Sequence, residues 1–260
     1  THAGQIVFSH YQGSNDPVSV ALSILREVHT HLPADAYLAR SCVTGYGESG
    51  PYAHKGGQDV LAQAMSGVMA RRSDPSVPIT VYPTALADYS AGMHMVQGIL
   101  LALLHRVRTG VGQKVSVSLY NSMLAMQMQE AAMIMMQDSE VNWAAMPLSG
   151  VFDTQDGALV MVGAFKANPL QDICRALEIE DLSADARYCN LTQQFKHKPE
   201  LQRIFRERFA SNTRAYWLAR LEEVDTAVAP VRSLPDAFDA AQRRGLLDAP
   251  GVVGPLPRMS

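Results

Sequence analysis

The feature that most restricts the fold is an alternation of strand and helix patterns over roughly the first 140 residues. Helices that alternate with strands favour a parallel sheet covered by helices, so we predict an α/β domain here. The predicted order is a helix over 16–31, a strand over 36–44, a helix from Asp59, a second helix from Asp88 to about Arg108, a strand over 114–119 and a Met-rich helix through Gln137.

The helix that starts at Asp88 has the clearest periodicity. Thr109-Gly110 is a typical helix end, which predicts its length. The apolar residues that share one stripe at helical spacing, and so predict its buried face, are Met93, Val96, Leu100, Leu103, Leu104 and Val107.

The pattern changes after Pro147, where a hairpin and a run of helices replace the alternation. Residues 150–162 have the pattern of two strands, with Asp156-Gly157 as the turn. We therefore predict that the first domain ends at residue 146 and that a smaller domain begins at 147. Helices are predicted there over 169–178, 199–210 and 213–224, where Thr213 can act as the cap, and from Pro235 to about Arg244.

Composition narrows the possible partners. With 22 basic and 25 acidic residues, the net charge of −3 gives no electrostatic reason to expect nucleic acid or a membrane surface as partner. No apolar run approaches the roughly 18 residues needed to cross a bilayer, and no secretory signal pattern opens the chain, so we expect a cytoplasmic protein. The three cysteines lack C-x-x-C spacing and the eight histidines are scattered, so no metal site is predicted.

Asp88 is the first candidate for chemistry, and it has two interpretations. An aspartate at a helix start can cap N–H groups that have no partner within the helix. The same N–H groups can instead hold a carboxylate ionised and oriented, ready to act as a nucleophile. Taken alone, the position of Asp88 favours the cap.

A glycine-rich loop, Gly45-Tyr-Gly-Glu-Ser-Gly-Pro51, follows the strand predicted over 36–44. Its glycines would let backbone amides approach a ligand and surround developing negative charge, although a tight turn at a strand end explains them equally well. The loop lacks the spacing of a dinucleotide fingerprint or a P-loop. Between this loop and the next helix lie Lys55, Gln58 and Asp59. The simpler interpretation of Lys55 is a solvated surface charge, and that of Asp59 is a helix cap.

Several motifs occur in a fixed order along the chain. They are GYGESGPYAHKGGQD, LAQAMSGVM and ADYSAGMHMVQGILLALLHRVRTGVGQKVSVSLYNSML, followed by SGVFDTQDGALVMVGA, LSADARY, the helix from Thr213 and VAPVRSL. This series resembles the CaiB/BaiF family of CoA-transferases, also called family III, over about residues 40–258. The resemblance implies a Rossmann-like large domain, a smaller α+β domain over 147–228, and a segment over 229–260 that returns to the large domain.

The resemblance also implies an activity, the transfer of CoA from an acyl-CoA thioester to a carboxylic acid. Asp88 would be the nucleophile, through an acyl-aspartyl anhydride and an aspartyl-CoA thioester. Coenzyme A would be substrate and carrier, no metal or redox cofactor would be needed, and an interlocked homodimer is expected. The residues that would border the CoA and acyl site are Tyr46, Gly47, Gly50, Pro51, Lys55, Gln58 and Asp59.

The related α-methylacyl-CoA racemases are similar over the same region and are the main alternative. Their pattern has a histidine directly before the aspartate that opens the first of these helices, where this chain has Gln58. An amide has no useful basicity near neutral pH and cannot accept an α-proton. The transferase interpretation is therefore favoured, while the acyl donor and the acceptor acid stay open.

The chain departs from the family pattern at both ends. Residues 1–40 lack the N-terminal motifs that bind the CoA phosphates in the family, the first residue is Thr1 rather than Met, and no G-x-H-T signature follows Pro257. We therefore expect a chain truncated at its N-terminus. A truncated, non-catalytic subunit that pairs with another chain is the second alternative.

Overall fold

The computed structural model describes residues 41–74, 76–164 and 166–243. Residues 1–40 lie outside this description. They include the helix predicted over 16–31, most of the strand predicted over 36–44 and the region compared with the family's N-terminal CoA-binding motifs. The chain divides into two compact units, with the boundary between Asn142 and Trp143.

The first unit contains the predicted parallel arrangement. Its strands β1 (Ser41–Thr44) and β2 (Val115–Ser118) pair in parallel, from Ser41 opposite Val115 to Thr44 opposite Ser118. A 3-10 turn covers Val68–Ala70. In chain order the helices of this unit are α1 (Asp59–Met65), α2 (Leu86–Thr109), α3 (Leu119–Met126) and α4 (Met128–Gln137).

The ends of these helices follow from glycine and from side-chain caps. Gly110 adopts the left-handed conformation (φ 73°) and ends α2 where the sequence predicts. Helix α1 is shorter than the helical pattern indicates, because Gly67 (φ 85°) follows it closely. The Met-rich stretch forms two helices rather than one, and they meet at Gln127.

The buried face of α2 differs from the prediction. Leu100, Leu104 and Val107, which belong to the predicted stripe, are 56%, 50% and 85% exposed. Small residues form much of the true buried face, and Gly98 lets α2 approach β2 closely, since a Cβ on it would lie 2.6 Å from Val115 Cγ1. The buried residues of α2 are Ala87, Ala91, Gly92, Met95, Ile99 and Ala102.

The second unit is built on an antiparallel sheet in which β4 (Gly157–Val162) lies between β3 (Ser149–Thr154) and β5 (Ala227–Pro230). The predicted hairpin is confirmed, but its two-residue turn is Gln155-Asp156, since Thr154 pairs with Gly157. The elements are β3 (Ser149–Thr154), β4 (Gly157–Val162), α5 (Pro169–Leu177), α6 (Leu191–Lys196), α7 (Lys198–Phe209), α8 (Arg214–Glu223), β5 (Ala227–Pro230) and α9 (Leu234–Arg243).

Large side chains fill the core of the second unit. Trp217 is 1% exposed, packs edge-on to Phe209 and donates its indole N–H to the Phe209 carbonyl at 2.8 Å. The predicted cap of α8 is confirmed, because Thr213 Oγ1 accepts a hydrogen bond from the Tyr216 N–H at 3.4 Å. Ala229 and Pro230 lie in β5 of this unit, and the predicted return of residues 229–260 to the first domain stays a prediction.

Candidate active site

Asp88 is the third residue of α2, and it is half-buried. Its backbone N–H donates to Oδ1 of Asp59 at 3.2 Å, and the N–H of Ala87 donates to the same oxygen at 2.6 Å. The Asp59 carboxylate therefore binds the first turn of the helix that carries Asp88.

The N–H groups at the start of α2 all have an acceptor. Leu86 N–H donates to the Thr84 carbonyl at 2.9 Å, and Tyr89 N–H donates to the Ala85 carbonyl at 3.0 Å. Since the N–H groups between them bind Asp59, a residue from another helix caps α2. The sequence predicts that Asp59 caps its own helix, α1. In the structure Asp59 caps α2 instead.

Gln63 completes this arrangement, and sequence reasoning did not identify it. Its side chain is fully buried, and its Nε2 donates to Asp59 Oδ2 at 2.6 Å. On the other side of the amide, Oε1 accepts a hydrogen bond from the Tyr82 N–H at 3.1 Å. The available signal is weak: a glutamine four residues after an aspartate is ordinary in a helix.

The glycine-rich loop is closed at its neck by a contact between two glycines. A Cβ on Gly57 would lie 2.1 Å from Gly45 Cα, so the two backbones touch. Gly47 (φ 101°) and Gly50 (φ 91°) adopt positive φ, which favours glycine. The N–H of Gly47 donates to Thr44 Oγ1 at 2.9 Å, so this donor serves the turn itself.

Aromatic rings and a lysine surround the loop. The ring of Tyr46 lies 5.8 Å from that of Tyr52 and 6.3 Å from that of Tyr120. Lys55 Nζ lies 4.5 Å from the centroid of the Tyr52 ring, within the range of a cation–π contact. Tyr120 is the second residue of α3 and was not among the sequence-predicted residues.

The structure thus brings the predicted residues together as two groups. Asp59 and Asp88 are in direct contact, and Tyr46 and Lys55 both lie against Tyr52. The link between the groups is short, since Gly57 packs at the neck of the loop two residues before Asp59. Gly50, Pro51 and Gln58 are exposed.

The part of the chain that the structure describes offers no candidate metal site and no candidate membrane span. There, no three His, Cys, Asp or Glu side chains are grouped so that they could hold a metal ion. Nor does any helix among those residues have the length and apolarity needed to cross a membrane.

Comparison with known families decides what this arrangement belongs to. The family model described as CoA-transferase family III matches residues 38–247. The chain belongs to CoA-transferase family III. The resemblance of the ordered motifs to this family is therefore confirmed.

Relatives of this family III chain include named transferases. The succinyl-CoA:glutarate CoA-transferase of Mus musculus is 34% identical over 77% of this chain and 47% of its own length. The succinyl-CoA–L-malate CoA-transferase beta subunit of Chloroflexus aurantiacus is 31% identical over 75% of this chain and 50% of its own length. The chain thus spans about half the length of these curated relatives.

Solved structures show the same fold at lower identity. A CaiB/BaiF family protein from Brucella suis superposes with a TM-score of 0.70 and 22% identity, over 87% of this chain and 62% of that one. A hypothetical protein from Mycobacterium tuberculosis superposes with a TM-score of 0.66 and 23% identity, over 85% of this chain and 62% of that one. At these identities the likeness establishes the fold alone, and it confirms the predicted α/β family III fold.

Proposed function

We propose that this protein transfers CoA from an acyl-CoA thioester to a carboxylic acid, with Asp88 as the nucleophile. Family membership and the transferase relatives support the reaction class. The observation that carries the role of Asp88 is the hydrogen bond from its N–H to Asp59, which fixes the backbone of a half-buried carboxylate at the start of α2. A fixed backbone limits the positions that the nucleophile can adopt.

The reaction proceeds by acyl transfer at each step. The Asp88 carboxylate attacks the thioester carbonyl and expels CoA thiolate, which leaves an acyl-aspartyl anhydride. The thiolate attacks the aspartyl carbonyl, releases the donor acid as a carboxylate and forms the aspartyl-CoA thioester. The acceptor carboxylate attacks that thioester and expels the thiolate again, which leaves a second anhydride between Asp88 and the acceptor acid. The thiolate then attacks the acceptor carbonyl of that anhydride, which forms the new acyl-CoA and releases Asp88 as a carboxylate.

The glycine-rich loop serves the CoA and acyl groups in this proposal. Lys55 carries a positive charge at the loop surface and suits a phosphate of CoA. Tyr46 and Tyr52 offer ring faces and hydroxyls beside it. Gly47, Gly50, Pro51 and Gln58 complete the border of the site.

The donors that stabilise the tetrahedral oxyanions come from the loop rather than from α2. The first-turn amides of α2 already bind Asp59, Thr84 and Ala85. Within the loop, Gly47 N–H donates to Thr44 and the amides of Ala53 and Lys55 donate to loop carbonyls. We assign the oxyanion donors to the loop between Tyr46 and Gly57, where the glycines let backbone amides approach a ligand closely.

Short dicarboxylic acids are the acceptors to test first. Relatives of this chain are named for glutarate, L-malate and oxalate. Such acids carry a second carboxylate, which a cationic or hydrogen-bonding group of the acceptor pocket would bind while the first reacts. Succinyl-CoA is the matching donor, since it appears in two of those names.

A homodimer is also part of this proposal. It rests on the family resemblance and on exposed apolar residues of α2, among them Leu101 at 66% and Val107 at 85%. Large apolar patches on a surface mark interaction sites. Light scattering of the purified protein should give the mass of two chains, and a stable folded monomer would argue against it.

The alternative α-methylacyl-CoA racemase activity is disfavoured by Gln58. This residue precedes Asp59, is exposed and carries an amide that cannot accept an α-proton. A deuterium exchange assay in heavy water with a 2-methylacyl-CoA should show no incorporation at the α-carbon.

The test of the proposed function is a matrix of exchange reactions. Succinyl-CoA is incubated with the protein and with glutarate, malate, oxalate or acetate, and formation of each new thioester is followed by chromatography. We expect transfer to at least one dicarboxylate and a loss of at least about 1,000-fold in Asp88→Asn. Equal activity of Asp88→Asn, or no transfer by a folded protein to any acid, would remove the proposal.

A further inference from the structure

Gln63 is a fully buried amide that uses both of its ends. Its Nε2 donates to Asp59 Oδ2 at 2.6 Å and lies within hydrogen-bonding distance of two carbonyls, Thr84 at 3.1 Å and Tyr82 at 3.3 Å. Its Oε1 accepts the Tyr82 N–H at 3.1 Å. The amide cannot turn over, because a flip would place its oxygen against three acceptors and its NH₂ against a donor.

These contacts join three pieces of chain. Gln63 lies one turn after Asp59 on α1, Tyr82 and Thr84 belong to the segment that leads into α2, and Asp59 in turn binds the N–H groups of Ala87 and Asp88. A single buried side chain therefore holds both the cap of α2 and the segment that enters α2. Buried polar groups with every partner in place make a rigid arrangement.

The start of α2 is where this rigidity matters. Asp88 lies in the first turn, and a change in the path of residues 82–87 would move its carboxylate with the backbone. The helix itself would persist through its later hydrogen bonds and its buried residues. Loss of the link would therefore shift the carboxylate of Asp88 without removing α2.

We propose that Gln63 is a positioning residue for Asp88. It acts through Asp59 and through the Tyr82–Thr84 segment, and it sets the orientation in which Asp88 meets the thioester. This inference rests on the proposed role of Asp88 as nucleophile. Gln63 itself touches no reacting atom, so its effect is on the rate of attack more than on substrate binding.

The chain offers a matched control in the same unit. Gln127 is a partly buried glutamine whose Nε2 donates to the carbonyls of Ser66 and Met123, both at 3.1 Å. It thus also binds the α1 region, but just beyond the C-terminal end of that helix. Gln63→Met and Gln127→Met each remove an amide while keeping a side chain of similar length, and only the first touches the start of α2.

Two readouts are measured on the full chain. The first is hydrogen exchange of the Ala87 and Asp88 amides, which report the cap directly because first-turn amides lack a helical acceptor. The second is the steady-state transfer of CoA. Gln63→Met is expected to raise exchange of these amides about tenfold and to lower kcat about 100-fold, with KM for acyl-CoA changed less than about threefold. Gln127→Met is expected to leave both readouts near wild type.

Asp59→Ala tests the same link from its other end and serves if Gln63→Met does not fold. Because a hydrogen bond joins Gln63 to Asp59, their effects on kcat should be less than multiplicative in the double variant. Multiplicative losses, or exchange of Ala87 and Asp88 unchanged in Gln63→Met, would overturn the positioning role. If the wild-type chain transfers no CoA, the proposed function fails, while the exchange experiment still decides whether Gln63 holds the start of α2.

Discussion

The two units bury different kinds of side chain. In the second unit the buried residues include Trp217, Phe205 and Phe209, each at most 1% exposed, around an antiparallel sheet. In the first unit the buried face of α2 includes Ala87, Ala91 and Ala102, and Ala87 and Ala91 cluster with buried residues of α1 and α3. The core of the second unit is therefore filled by large rings, whereas small residues in the first unit let its elements pack closely together.

This difference separates stability from the proposed chemistry. Large buried rings contribute apolar area, which stabilises the second unit. In the first unit, small residues let helices and loops come close enough for the Asp59 and Gln63 hydrogen bonds to form around Asp88. The second unit should be sensitive to the removal of atoms, and the first to their addition.

Removal is tested with Trp217→Ala in the second unit. The change leaves a cavity among the rings and deprives the Phe209 carbonyl of the indole N–H. We expect the free energy of unfolding to fall by about 3–5 kcal/mol in urea titration. Trp143→Ala is the control, since that side chain is 46% exposed and should cost about 1 kcal/mol or less. Similar losses in both would mean that the second unit does not depend on its core volume.

Addition is tested at two neighbouring glycines of the first unit. In Gly57→Ala the new methyl group would lie 2.1 Å from Gly45 Cα, so the neck of the loop must open, at a cost of about 1–3 kcal/mol and with loss of transfer activity. Gly56→Ala meets no atom within 4 Å and should be neutral or slightly stabilising. Equal thermal stability and activity of the two variants would contradict the close contact at the neck.

A smaller effect of pH is expected in the second unit. The hydrogen bonds of the Arg187 side chain to Asp185 hold the pKa of that carboxyl below its ordinary value. A lowered pKa in the folded state stabilises the protein above the unfolded pKa of about 3.9, and this contribution disappears as pH falls through the folded value. The difference in urea midpoint between wild type and Asp185→Asn should thus be constant near neutral pH and shrink below about pH 4. A difference in urea midpoint that grows in acid would contradict the stabilising role of the Asp185 carboxylate.

Much of the fold was predictable because its signals are local. Gly110 marks the end of α2, the alternation around Val115 and Val117 marks β2, and Thr213 marks the start of α8. Each of these features depends on residues within one or two turns of chain. The family could also be recognised, since its motifs keep their order along the sequence.

The buried face of α2 and the capping of Asp88's helix could not be predicted in this way. Hydrophobic periodicity favours Leu104 and Val107, but close approach at Gly98 selects small residues instead. Asp59 caps α2 through the N–H groups of Ala87 and Asp88, which lie 28 and 29 positions later in the sequence. Gln63 binds the carbonyls of Tyr82 and Thr84, which lie 19 and 21 positions later. Such contacts exist only once α1 and α2 are packed.

The most direct test of the central claim is to trap the activated carbonyl group of Asp88 on the protein. The full chain is mixed with succinyl-CoA, treated with hydroxylamine and digested, and the peptides are sequenced by mass spectrometry. We expect a hydroxamate on Asp88, absent from Asp88→Asn, with Asp59 unmodified because its oxygens accept hydrogen bonds from Ala87, Asp88 and Gln63. A hydroxamate on Asp59 instead, or none on a folded protein, would contradict the assignment of Asp88 as the nucleophile.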